Sequence, residues 1–461
     1  MKQYQSFIFE SYAFDQGTGK ITLHYSLDGE LHFRETVTVP PVPEVEHGPG
    51  TALDHALFAL HLIGGVSYYK TCCPKEIVIK SGLLSAEDAA FWMEIYEQGL
   101  GQFFYENEME PQGLIRFPST TDAMDNGQWT MDNAEKNQRI LVPIGGGKDS
   151  LVTVELLRKA DIPVTLFRVG NHPIIEAQAE EAELPLFTVK RELSPVLFDL
   201  NAQGALNGHV PITAYLSVLS VIVALLHDFG AVVMSSERSA SEGNVQYRGR
   251  EINHQWSKSL AFEQMFQQYL ARSVTKDVAY FSLLRPLSEL HIAKMFTQFP
   301  QYLPLATSCN ENWKLLKDDA QKKGNGRATW PRSGSTWCAK CPKCAFVFAL
   351  LAAFLPMKDV ARTFGKNLFD DASLLPLYKE LLGLEGFKPF ECVGTSDETK
   401  AALLLTHQRG DAKGTPVMKL FESEVLPSIT DADALVENAL TASAEHAIPK
   451  EFSKILAGIH P

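Results

Sequence analysis

Leu141-Val142-Pro143-Ile144-Gly145-Gly146-Gly147-Lys148-Asp149-Ser150 is the stretch on which the reading of this 461-residue chain turns. The apolar run over 140–144 has the make-up of a buried strand, and the apolar spacing over 149–159 is that of a helix. Between them, three successive glycines make a turn with no side chains to keep a ligand away. A turn of this kind at a helix start aims backbone N–H groups and the positive end of the helix dipole at an anion. Ser150 adds a hydroxyl donor and Lys148 a cation, while Asp149 suits Mg²⁺ coordination or ordering of the helix start. Two other phosphate loops are excluded. Val142 stands where a Walker A loop needs its first glycine, and Ser150 stands where G-x-G-x-x-G needs its last. A glycine-rich turn that binds nothing is the plain alternative.

Outward from the loop, strand and helix patterns alternate: strand over 162–169, helix over 173–184, strand over 185–189, helix over 211–226 and strand over 231–234. That alternation predicts an α/β fold, a parallel sheet with helices on both faces. Residues 1–45 instead alternate apolar and polar positions between aspartate–glycine turns, and two helical patterns follow at 51–64 and 86–105. Three regions are therefore expected. They are an N-terminal α+β domain over 1–135, a nucleotide-binding α/β domain over 136–300, and a cysteine-cluster and helical region over 301–461.

Composition narrows the partners. With 42 Lys and Arg against 55 Asp and Glu the formal charge is −13, which disfavours nucleic acid as a ligand. The N-terminus has no signal-peptide pattern, and the most apolar run, 212–226, carries Thr213, Tyr215, Ser217 and Ser220. It is also shorter than the roughly 18–20 residues that span a bilayer, so no membrane segment is expected and the cytoplasm is the expected compartment.

Cys338-Ala-Lys-Cys341-Pro-Lys-Cys344 contains two Cys-x-x-Cys spacings, and Cys309 lies 29 residues upstream. Four thiolates suit structural Zn²⁺ in a tetrahedral site, although an iron–sulfur cluster and free thiols remain open. Cys72, Cys73 and Cys392 lack such spacing and read as packing residues. Between the cysteines, 314–343 holds eight Lys or Arg against two Asp, either a solvated loop or a clamp in which Arg327 and Arg332 grip a diphosphate. Polar segments at 207–211, 235–241, 253–258 and 284–290 fall at predicted strand–helix junctions, where such sheets place their ligands.

The glycine segment resembles the PP-loop signature S-G-G-x-D-S of ATP pyrophosphatases, with Gly145 in place of the first serine. That resemblance implies that Gly145, Gly146, Gly147, Lys148, Asp149 and Ser150 bind ATP with Mg²⁺, and that ATP is cleaved to AMP and pyrophosphate. A closer resemblance rests on Gly145–Ser150 together with NGHVPITA (207–214), SSERSAS (235–241), NHQWSKSLAFEQ (253–264), LLRPLSEL (283–290), CAKCPKCAFVF (338–348) and KPFECVG (388–394). With HLIGGVSYYK (61–70), these segments resemble the UDP-N-acetylmuramoyl-L-alanyl-L-glutamate epimerase (MurL) family across nearly the whole chain.

What this implies is ATP-dependent inversion of the terminal L-Glu of UDP-MurNAc-L-Ala-L-Glu to D-Glu through an adenylated carboxylate, in peptidoglycan precursor synthesis. Proton transfer on both faces of the glutamate α-carbon then needs acid–base groups. The polar candidates are His209, Glu237, His254, Lys258 and Cys309, with Glu237 and His254 foremost as groups a pocket can tune toward neutrality. Arg238, Arg285 and Lys258 are candidate contacts for phosphate or for the glutamate side chain. The competing readings are another PP-loop enzyme, of the nitrile synthase or tRNA-thiolation type, and a protein that holds ATP without turning it over.

Overall fold

The computed structural model describes residues 3–42, 48–120, 138–311 and 336–457. Among the described residues eleven strands run in chain order: β1 (Ser6–Asp15), β2 (Lys20–Leu27), β3 (Leu31–Thr38), β4 (Glu76–Ile79), β5 (Ile140–Pro143), β6 (Val164–Val169), β7 (Leu186–Glu192), β8 (Ala231–Met234), β9 (Val245–Tyr247), β10 (Arg250–Ile252) and β11 (Ala279–Ser282). Nine of them form one sheet in the order β11-β8-β5-β6-β7-β3-β2-β1-β4, and β9 pairs with β10 as a small hairpin.

Half of that sheet is the predicted parallel one. The pairs β11–β8, β8–β5, β5–β6 and β6–β7 are all parallel. Numbered within this half, the order is 3-2-1-4-5, a doubly wound arrangement whose switch point lies between β5 and β8. The other half is antiparallel through β3, β2 and β1, with β4 parallel on the outer edge. The halves join where β3 meets β7 antiparallel, Thr36 opposite Glu192 and Thr38 opposite Lys190. One sheet thus takes strands from both the 1–135 and the 136–300 regions.

Alternation along the central strands separates two cores, because successive side chains point to opposite faces. Ile140, Val142, Leu166, Val233 and Phe281 belong to the core shared with the helices Lys148–Lys159, Glu289–Phe296, Pro342–Ala352 and Ser396–Arg409. Leu141, Phe167, Val232, Met234 and Tyr280 belong to the core shared with Ala52–Tyr69, Ala86–Gly99, Ile212–Leu226 and Leu260–Tyr269. The N-terminal region therefore covers one face and the C-terminal helices the other. Among the described residues no helix is long and apolar enough to cross a membrane.

Candidate functional site

The carboxyl ends of β5 and β8 diverge at the switch point, and a cleft of about 350 Å³ opens there. Gly145, Gly147, Asp149 and Ser150 form one wall; Ser235, Ser236 and Glu237, which follow β8, form another. Gly146 takes φ +84°, the left-handed conformation that glycine adopts without strain, whereas a Cβ at Gly145 would meet nothing within 4 Å. The Gly146 carbonyl accepts from Gln178 Nε2 at 2.9 Å and from Thr307 N at 2.8 Å, so the loop is pinned from two directions. Gly147 caps the helix Lys148–Lys159 with no side-chain hydrogen bond. Its first-turn N–H groups are therefore left for a ligand.

Behind the loop lies a chain of buried charges. Lys148 bridges Asp149 and Glu289, and Lys343 Nζ donates to the other Glu289 oxygen at 3.1 Å. Ser288 sets Glu289 at the first position of its helix by accepting from His291 N at 2.9 Å, and Glu398 accepts from Glu289 N at 2.7 Å. Burial works against the Glu289 charge, but Lys148 and Lys343 outweigh it and hold the carboxylate well below its ordinary range. Burial likewise opposes the Lys148 ammonium, and Asp149 and Glu289 more than restore it. Lys148 is only 4% exposed. The cation expected to meet phosphate is instead held between two carboxylates.

Glu237 differs. It is 4% exposed and its carboxylate accepts no hydrogen bond among the described residues. Burial pushes it up to about 7, and the negative charges of Glu289 and Asp149 add to the effect. Lys258 shares the cleft and donates to Cys392 Sγ at 3.2 Å, while Lys343 donates to the Cys392 carbonyl. Cys392, read from the sequence as packing, is a wall of the cleft.

The four spaced cysteines do converge. Sulfur separations are 3.9 Å for Cys309–Cys341, 3.7 Å for Cys338–Cys344 and 3.4 Å for Cys341–Cys344. A tetrahedron with Zn–S bonds of about 2.3 Å has edges of about 3.8 Å, so the sulfurs can hold a metal ion such as zinc. The cluster carries cleft residues on its own backbone: Ser308 and Asn310 flank Cys309, and Lys343 precedes Cys344.

The remaining candidates are placed elsewhere. His209 and His254 meet at a tilt of 51° with ring centroids 4.7 Å apart, outside the cleft walls, and His254 Nδ1 meets Gln102 Oε1. Burial first, then neighbouring positive charge, lowers them to about 3 and about 4, away from the neutrality expected of His254. Arg238 caps the helix Ala432–Leu440 through Asn438 O and Thr441 O, at 3.2 Å each.

Arg285, expected to meet substrate, is 2% exposed and fully engaged inside the protein. It pairs with Glu263 at 2.9 Å and donates to the carbonyls of Glu237 and Lys258. That makes it the brace of two cleft residues. Arg327 and Arg332 lie outside the described residues. Glu289, Lys343, Arg168 and Cys392 were not among the expected site residues; Glu289 and Cys392 sit in quoted motifs without any spacing that marks them.

Fold and site together define a doubly wound α/β protein with a cleft at its switch point and a four-cysteine cluster built into one wall. Within that class, the chain belongs to the MurL family: the MurL N-terminal domain matches residues 1–283 and the MurL C-terminal domain residues 305–436. A UDP-N-acetyl-alpha-D-muramoyl-L-alanyl-L-glutamate epimerase of Xanthomonas oryzae pv. oryzae is 41% identical over 97% of this chain and 96% of its own length. Proteins of the same description from Micromonospora sp. and Salinispora tropica are each 38% identical, over 99% and 100% of this chain and 99% and 97% of their own.

Proposed function

We propose that this protein epimerises the terminal L-glutamate of UDP-MurNAc-L-Ala-L-Glu to D-glutamate in peptidoglycan precursor synthesis, consuming ATP to AMP and pyrophosphate on a PP-loop site in the cytoplasm. The observation that carries this reading is Glu237, a buried carboxyl that accepts no hydrogen bond among the described residues, facing the cleft of the glycine loop. The relatives' shared description supports the substrate. A free carboxylate is a poor electron sink, so the α-hydrogen of glutamate resists removal. Adenylation neutralises that carboxylate and acidifies the α-hydrogen, which makes sense of an ATP site in an epimerase.

In this reading the loop Gly145–Gly147 and the first turn of Lys148–Lys159 hold the phosphates, and Ser150 adds a hydroxyl. Mg²⁺ would share Asp149 with the phosphates. Asp149, Glu237 and Glu289 bring carboxylate oxygens within 4.8 Å of one another, yet both Glu289 oxygens are already taken by lysines. One carboxylate plus phosphate oxygens is the usual Mg²⁺ arrangement. Zinc on the four cysteines would serve structure, fixing Ser308, Asn310 and Lys343 along the cleft. Glu237, poised near neutrality, transfers a proton at the α-carbon.

The test combines purified protein, ATP, Mg²⁺ and UDP-MurNAc-L-Ala-L-Glu, with a pyrophosphate assay and chiral analysis of the hydrolysed glutamate. D-glutamate accompanied by AMP and pyrophosphate is the expected outcome. Unchanged L-glutamate without pyrophosphate overturns the proposal.

A further inference from the structure

Inverting a carbon centre through a planar intermediate requires one group to take a proton from one side and another to give one on the opposite side. Glu237 supplies one such group. The other cleft residues are narrowed by their bonds. Asp149 is ion-paired to Lys148, and Lys343 is held by Glu289 and the Cys392 carbonyl. Arg168 is turned to Thr188, the His172 carbonyl and Glu176.

Cys392 remains. Its sulfur is half-buried on the cleft wall and accepts from Lys258 Nζ at 3.2 Å. Burial opposes the Lys258 charge, but Cys392 and Glu237 outweigh it, so this ammonium stays charged between the two. The ammonium thus stands where a proton-accepting sulfur needs its counter-ion.

We propose that Cys392, with Lys258 as its counter-ion, is the second proton-transfer group, removing the α-proton of the L-substrate while Glu237 delivers one to the opposite face. The assignment rests on the epimerase reading. The Cys392 thiolate takes the α-proton, and the C–H electron pair moves into the adenylated carboxyl as an enolate. The Glu237 carboxylic acid then protonates the α-carbon from the other side. Water cleaves the acyl–phosphate bond, releasing AMP and the D-epimer. Cys392 ends as a thiol and Glu237 as a carboxylate; loss of one proton to solvent and gain of another restore them, with no change of oxidation state.

The two groups have distinguishable jobs, so turnover in D₂O by the full chain tests them. Glu237→Gln is expected to leave glutamate uninverted yet wash solvent deuterium into its α-position, because Cys392 still removes and returns the proton on the L face. Cys392→Ala is expected to lose both deuterium wash-in and D-glutamate by at least ~100-fold, with pyrophosphate release falling far less. Cys392→Ser, nearly equal in size, is expected to show the same split.

Deuterium in uninverted glutamate from Cys392→Ala, or D-glutamate within a few-fold of the parent, overturns the assignment. Parallel loss of pyrophosphate release and wash-in in both cysteine variants also overturns it, since that marks a structural role. A parent enzyme that releases no pyrophosphate with this substrate overturns the underlying reading instead.

Discussion

Two glutamates are both buried in this protein and are treated oppositely. Glu35 on β3 is fully buried and accepts four hydrogen bonds. They come from Tyr68 at 2.9 Å, Tyr215 at 2.8 Å, and Arg191 at 2.8 and 3.2 Å. The Arg191 guanidinium also sits 3.7 Å from the Tyr215 ring centre. These donors come from the helix Ala52–Tyr69, the helix Ile212–Leu226 and β7, so one carboxylate ties the antiparallel half of the sheet to the parallel half. Glu237, 4% exposed, accepts nothing among the described residues. Burial alone therefore says little about what an acid does. Satisfaction of its lone pairs separates a structural carboxylate from one kept reactive.

The comparison breaks first on activity. Glu237→Gln is expected to lower D-glutamate formation by ~10²–10⁴-fold, the range for removal of a general acid or base, while the folded protein persists. Chiral analysis of product alongside circular dichroism checks this. Glu35→Gln should do the reverse. Arg191 would be left buried without its counter-charge, lowering stability by about 3–5 kcal/mol in denaturant unfolding, with turnover per folded molecule retained. An activity defect exceeding the folded fraction would place Glu35 in the site after all. Tyr215→Phe removes one hydrogen bond to a charged group, for an expected loss of about 1.5–3 kcal/mol.

The smallest effect concerns pH. Glu237 has its folded-state titration raised from the ordinary 4.5 to about 7, mainly by burial and then by Glu289 and Asp149. Between those values the folded protein retains a proton that the unfolded chain has released. The stability contribution is full below 4.5 and is lost as pH rises through about 7. Glu237→Gln lacks that loss, so its melting temperature should match the parent near pH 5 and exceed it at pH 8 by roughly a few degrees. A gap of constant size across this range would mean that Glu237 titrates alike in both states.

The central strands were legible because they are buried on both faces and read as continuous apolar runs. The expected 140–144 is Ile140–Pro143, and 231–234 is Ala231–Met234 as expected. The cysteine quartet was legible through its spacing. Other features leave no local trace. The β3–β7 seam pairs Thr36 with Glu192, and neither segment carries a signal naming the other. Glu289 stands alone in LLRPLSEL; what defines it is Lys343, 54 residues later in a segment that reads as metal ligands. Cys392 acquires meaning only from Lys258, far away in sequence and adjacent in space. Lys148 reads in the sequence as a cation for phosphate, and only packing reveals the two carboxylates beside it.

The β3–β7 seam also has a consequence in time. On the ribosome, β1, β2 and β3 can pair as soon as they emerge, but about 150 further residues separate the end of β3 from the start of β7. At roughly 5–20 residues per second, the outer edge of β3 waits on the order of ten to thirty seconds for its neighbour. An open edge of alternating apolar residues is a template for pairing with another nascent chain, and an inward-pointing charge discourages such pairing. Glu35 lies midway along that strand. Before Arg191 is synthesised, its uncompensated carboxylate penalises any intruding strand that would bury it, so the group that later seals the seam first keeps it vacant.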